Sequence, residues 1–109
     1  AFSDVPEITM NPYLPDSVPN FWLSCILLDK KSKVTPTMIR EKLEAENIES
    51  RPIWNPMHKQ PLFRHCDYIT LKESVSEDIF ERGLCLPSDI KNTEEDMNKI
   101  IRIIKGMFK

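Results

Sequence analysis

Phe21–Leu28 reads Phe-Trp-Leu-Ser-Cys-Ile-Leu-Leu, and Thr35–Trp54 behind it reads Thr-Pro-Thr-Met-Ile-Arg-Glu-Lys-Leu-Glu-Ala-Glu-Asn-Ile-Glu-Ser-Arg-Pro-Ile-Trp. The first is a nearly unbroken apolar run, too short for a typical helix and closed by the turn residues Asp29, Lys30, Lys31 and Ser32. It predicts a buried, central strand. Thr35 ahead of Pro36 puts a capping hydroxyl before a proline at the first helical position. That start predicts a helix to about Asn47, with Met38, Ile39 and Leu43 as its narrow apolar stripe. Ile48–Trp54 then leads out as a second strand, so the stretch reads β-α-β.

The chain either side is read from that unit. Ala1–Asn20 holds Pro6, Pro12, Pro15 and Pro19 and shows no sustained period. It predicts an extended, proline-rich lead-in over 1–20, of a kind that can serve as a linker, before a domain over 21–109. Downstream, Ser76 is placed to cap a short helix ending at Gly83, a residue suited to a left-handed stop. Leu84–Leu86 before Pro87 reads as a short strand. Thr93-Glu94-Glu95-Asp96 resembles a capping box with acids where the helix dipole favours them. Met97, Ile100, Ile101, Ile104 and Phe108 follow at helical spacing and define one apolar face. The fold class is α+β: a small antiparallel or mixed sheet of three to four strands with helices packed on one face.

Composition excludes several functions. A chain of 109 residues holds one modest core. A formal charge of −2 supplies no basic excess for nucleic acid. No apolar run is long enough to span a bilayer, and no signal pattern opens the chain. Cys25, Cys66 and Cys85 are widely spaced without a Cys-x-x-Cys pair, which suits a reduced, cytoplasmic setting. Two glycines leave no Gly-rich phosphate loop.

Glu49–Arg64 carries the candidate chemistry. Pro52, Pro56 and Pro61 fix their own φ and push Arg51, Asn55 and Gln60 towards extended geometry. A stiff loop results, presenting Arg51, Trp54 and His58 with little freedom left to lose on binding. His58 can exchange one proton near neutral pH, or be a hydrogen-bonded structural histidine. Arg51 can grip a carboxylate or phosphate, or pair with Glu46 or Glu49. Trp54 fits a pocket wall, a domain interface or the core. His58, His65, Cys66 and Asp67 match no zinc spacing, so no metal is expected. Cys25 and Cys85, in apolar strands, read as inert core residues. Glu94, Glu95 and Asp96 read as a solvated helix start. These residues alone contain no complete active site.

Arg51-Pro-Ile-Trp-Asn-Pro-Met-His-Lys-Gln-Pro-Leu-Phe63 resembles the small-domain loop of the pyridoxal-phosphate-dependent sugar aminotransferases of the DegT/DnrJ/EryC1/StrS family. Ser76-Glu77, Gly83-Leu-Cys-Leu-Pro-Ser88 and Thr93-Glu-Glu-Asp96 resemble that family's C-terminal ending, in the same order and at similar spacing. The likeness runs over roughly residues 20 to 105 and is strongest to branches that aminate C4 of nucleotide-linked 4-keto-6-deoxy sugars. It implies the C-terminal small domain of a fold-type-I aminotransferase, separated from an N-terminal large domain that carries the Schiff-base lysine. Lys59 and Lys72 lack that lysine's context, so the fragment is expected to be inactive and to bind no pyridoxal phosphate by itself.

In the homodimeric parent implied by the resemblance, glutamate gives its amino group to a nucleotide-linked keto sugar for polysaccharide or glycan biosynthesis. Arg51, Trp54, Asn55 and His58 match loop positions on the substrate side of that active site. The family also contains dehydratases. A chain that starts without methionine, in a proline-rich lead-in, is expected to be such a fragment. The alternative is a free-standing β-α-β ligand- or protein-binding module with the proline-rich loop as its recognition surface.

Overall fold

The computed structural model describes residues 1–108. Four strands form one antiparallel sheet: β1 (Ile8–Met10), β2 (Ser24–Leu28), β3 (Arg51–Pro52) and β4 (Gly83–Leu86), in the spatial order β1-β2-β4-β3. β4 is buried along its whole length and pairs on both sides, with Cys25 opposite Cys85 and Arg51 also opposite Cys85. Both neighbours run antiparallel to β4, so β2 and β3 are parallel to each other with β4 between them. The expected β-α-β unit is therefore present but split by a strand from much later in the chain.

Three helices accompany the sheet: α1 (Pro36–Glu44), α2 (Val75–Arg82) and α3 (Glu94–Lys105). Side chains alternate across a strand, and the register puts Ile8, Ile26, Leu28, Leu84 and Leu86 on one face. Ile39 and Leu43 of α1 and Ile100 and Ile104 of α3 close over that face to make the core. Thr35 caps α1 through its hydroxyl, which accepts from the Met38 amide, and Pro36 opens the helix as expected. Thr93 caps α3 in a reciprocal capping box: its hydroxyl accepts from the Asp96 amide at 3.1 Å, and its own amide donates to Asp96 Oδ2 at 3.0 Å. The Thr93 hydroxyl and amide hold the Asp96 carboxyl below its ordinary range.

Several boundaries differ from expectation. The first twenty residues contribute β1 and three core side chains, Phe2, Val5 and Ile8. Their apolar positions come three apart, a spacing set by successive turns and not by a regular element: the Val5 amide donates to the Phe2 carbonyl, and the Ile8 amide to Val5. β2 begins only at Ser24, because Phe21 has a φ of 52° and turns the chain, leaving Trp22 exposed. Met38 is exposed, so the stripe of α1 is narrower than its sequence suggests. α1 ends at Glu44, and Asn47 takes the left-handed turn at φ 57°. The strand expected over 48–54 shrinks to Arg51–Pro52, since Pro52 has no amide to continue a ladder. α2 starts after Ser74, two residues earlier than expected.

Gly83 is not a left-handed stop. Its φ of −98° and ψ of 152° are extended, and it is the first residue of β4. Glycine is needed there for space, because a Cβ would collide with the Ile53 side chain and the Ile79 carbonyl. Just before it, Arg82 ties α2 to the sheet: its guanidinium donates to the Leu28 carbonyl and pairs with Asp78, Nε to Oδ1 at 2.9 Å. Lys105 bonds Asp4 at 2.6 Å, so the end of α3 also holds the segment before β1.

Two predictions follow from this packing. Ile104→Ala removes a fully buried side chain and is expected to cost roughly 2–5 kcal/mol, whereas Thr93→Ala loses a cap for about 0.5–2 kcal/mol. Urea titrations check the order, and a more damaging cap loss would mean α3 faces the wrong way. The Arg82 guanidinium, helped by Lys30, holds the Asp78 carboxyl down to about 2. A depressed acid stabilises the fold above its ordinary pKa and loses that contribution as pH falls from roughly 4 to 2. Asp78→Asn should therefore flatten the fall in urea midpoint across that window, and an equal fall in both proteins would remove Asp78 from the acid limb.

Candidate functional site

A cleft of about 910 Å³ lies where β3 and β4 meet the ends of α1 and α3. Arg51 of β3 and Trp54 beyond it form one wall, Trp22 before β2 another, and Cys85 and Lys99 line it too. Trp54 is 65% exposed and Trp22 71% exposed, so neither is a core residue. Arg51 takes the ion pair: Nη2 lies 2.5 Å and Nε 2.8 Å from Glu49 Oε1. Lys99 pairs with Glu46 at 3.0 Å. The Ser50 hydroxyl, between Glu49 and Arg51, is buried with no hydrogen-bond partner among the described residues.

Asn55 and His58 lie outside this cleft lining. Met57–Lys59 and Pro61–Phe63 form two short 3-10 turns, each ended by a hydrogen bond within the loop. The Gln60 side chain donates to the Asn55 carbonyl at 3.3 Å, which fastens the loop to its own start. His58 Nε2 is 2.8 Å from Glu77 Oε1 on α2, and its ring stacks on Tyr68 with centroids 3.7 Å apart. Lys59 reaches the other Glu77 oxygen at 3.2 Å. The His58 and Lys59 hydrogen bonds hold the Glu77 carboxyl below its ordinary range. The imidazole is thus clamped between α2 and an aromatic ring, while Trp54, Met57 and Leu62 point outward and Phe63 is half-buried.

The structure brings Arg51 and Trp54 to one cleft and sets His58 on a separate, anchored part of the same loop. Sequence reasoning missed Trp22, Ser50 and Lys99 in the cleft, and Tyr68 and Glu77 behind His58. Trp22 sits inside an apolar run that reads as strand. Tyr68 and Glu77 reach His58 across 10 and 19 residues, beyond any local spacing rule.

The DegT/DnrJ/EryC1/StrS aminotransferase family pattern matches residues 1–105, and this chain belongs to that family. EpsN of Bacillus subtilis, named as a pyridoxal phosphate-dependent aminotransferase, is 36% identical over 99% of the chain and 28% of its own length. A GDP-perosamine synthase of Caulobacter vibrioides is 33% identical over 74% of the chain and 21% of its own length. Among solved structures, Helicobacter pylori PseC, an aminotransferase of pseudoaminic acid biosynthesis, superposes with a TM-score of 0.77 over 98% of the chain. Its identity is 24%, and 29% of it is covered, so the likeness there is one of fold. The chain spans less than a third of each of these relatives.

The cleft's residues do not fit pyridoxal phosphate, the group implied by the family. Glu46, Glu49, Asp89 and Asp96 outnumber Arg51 and Lys99 along its lining, and each of those cations already holds a carboxylate. A phosphate finds no cradle in that set, and Lys99 is an ion-paired surface amine.

Glu77→Gln is expected to loosen the loop, because His58 and Lys59 lose their shared anion. Trypsin should cut after Lys59 and Arg64 several-fold faster in the variant at neutral pH. The same loosening should appear in the native sequence as pH falls below the ordinary carboxylate range, where the depressed Glu77 acid takes up its proton. Equal cleavage rates would mean the turns hold the loop unaided.

Proposed function

We infer that this chain is the small C-terminal domain of an enzyme that moves an amino group from glutamate onto a nucleotide-linked keto sugar. Pyridoxal phosphate would be held by the N-terminal large domain of the longer protein and would supply the amino-group chemistry there. The isolated chain binds no cofactor and has no activity. The relatives named as GDP-perosamine synthases support a nucleotide-sugar pathway, and polysaccharide or glycan biosynthesis in the cytoplasm is the setting we propose. None of the described helices is long and apolar enough to cross a membrane.

The observation that carries this reading is the loop 51–63: folded into two turns, anchored at His58, and carrying exposed apolar side chains. Trp54, Met57 and Leu62 are exposed together on it, and surfaces of that kind are usually covered by a neighbouring domain or partner. In the homodimeric parent the loop forms a wall beside the substrate. Arg51, Trp54 and Asn55 face the sugar nucleotide, and His58 keeps the wall in position through Glu77 and Tyr68. With Nε2 engaged by Glu77, His58 orients and does not take a proton from carbon.

Three measurements test this. Pyridoxal phosphate and borohydride should label no single lysine of the isolated chain, and stoichiometric labelling at one lysine would overturn the division of labour. In the full-length parent, glutamate and a nucleotide-linked 4-keto-6-deoxy sugar should yield 2-oxoglutarate and the amino sugar. His58→Ala there should keep the cofactor's visible absorbance while kcat/KM falls roughly ten- to several-hundred-fold, as expected for a lost orienting contact. Unchanged kinetics would make His58 purely structural, and a product that lacks nitrogen would assign the parent to the dehydratase branch.

A further inference from the structure

Cys25 and Cys85 face each other across β2 and β4, directly opposite in the register. The Cys25 amide donates to Asn11 Oδ1 and its carbonyl accepts from the Asn11 amide, so both backbone groups point towards β1. Cys25 and Cys85 are therefore a non-hydrogen-bonded pair between β2 and β4. Antiparallel partners of that kind have Cα atoms about 4.5 Å apart, at the near end of the roughly 4.4–6.8 Å that a disulfide spans. The two Sγ atoms already touch at 3.6 Å. We propose that Cys25 and Cys85 form a redox-modification site, a cross-strand dithiol that hydroperoxides convert into a disulfide stapling β2 to β4.

The two thiols differ in access. Cys85 is buried and Cys25 half-buried. Burial, then the contact with the Cys25 thiol, pushes the Cys85 thiol up to about 12. Cys25 meets the oxidant first. Its sulfur attacks one peroxide oxygen and breaks the O–O bond; the departing hydroxide takes the proton the Cys25 thiol gives up, leaving a sulfenic acid and one water. The Cys85 sulfur then attacks the Cys25 sulfur and breaks the S–O bond. The departing hydroxide takes the Cys85 proton and leaves as a second water. Two thiols lose two electrons and one hydrogen peroxide gains them. The reaction changes the cleft as well as the sheet, because Cys85 lines that cleft and is the β-partner of Arg51.

The test uses the Cys66→Ser protein, which removes the exposed third thiol, treated with hydrogen peroxide while folded and then alkylated in denaturant. The expected result is loss of both titratable thiols, a monomer lighter by two hydrogens, and a Cys25–Cys85 linked peptide that dithiothreitol releases. The stapled form closes a 60-residue separation, so its Tm should rise by roughly 10 °C. Cys25→Ser and Cys85→Ser should each stay monomeric without the linked peptide. Two thiols that still titrate after peroxide, cross-links only between molecules, or a staple that forms only in urea would each overturn the proposal. So would a linked form that melts below the reduced one.

Discussion

β4 can lie between β2 and β3 only because nothing projects from Gly83. The strand enters the sheet directly from α2, with the Ile79 carbonyl and the Ile53 side chain closed over the point of entry. Even a methyl group there would have to displace backbone. Both inner pairings of the sheet, and the buried Leu84 and Leu86 that meet α1 and α3, follow from that entry. A late segment thus completes a unit whose other strands were made much earlier in the chain, so long-range contact governs this small fold.

What the residues disclosed in advance were features written locally. Thr35-Pro36 and Thr93-Asp96 specify helix starts through bonds made within three residues, and both appear as expected. Ile100 and Ile104 are buried because a helical repeat of aliphatics has one place to go. Leu84-Cys85-Leu86 had to be a strand between a glycine and a proline. The features that stayed hidden depend on distance. β1 is a strand only because β2 pairs with it, and nothing in the spacing of Phe2, Val5 and Ile8 says so. Gly83 was read for its backbone freedom, whereas the structure uses its lack of volume. Ile48–Trp54 resembles a longer strand until Pro52 is weighed as a missing donor.

The same division holds for the candidate site. Three prolines announced a stiff loop, and the loop folds into two 3-10 turns, but its anchor is a contact between His58 and residues on and before α2. Arg51 was recognised together with its competing partner Glu49, and the ion pair formed. The cleft brings residues from both ends of the chain to one place, and no single segment carries its signature. Family likeness supplied what local physics could not, since the chain as a whole belongs to the DegT/DnrJ/EryC1/StrS aminotransferase family.

The two outer strands of the sheet have a further effect. β1 is three residues long with Pro6 and Pro12 on either side, and β3 is two residues long and ends in a proline. Neither rim offers an uninterrupted row of amides and carbonyls on which another chain could build. The sheet is closed to growth by strand addition, so an unfolded or neighbouring copy finds little to template on. Neighbours must meet this protein through side chains, where recognition depends on shape and chemistry.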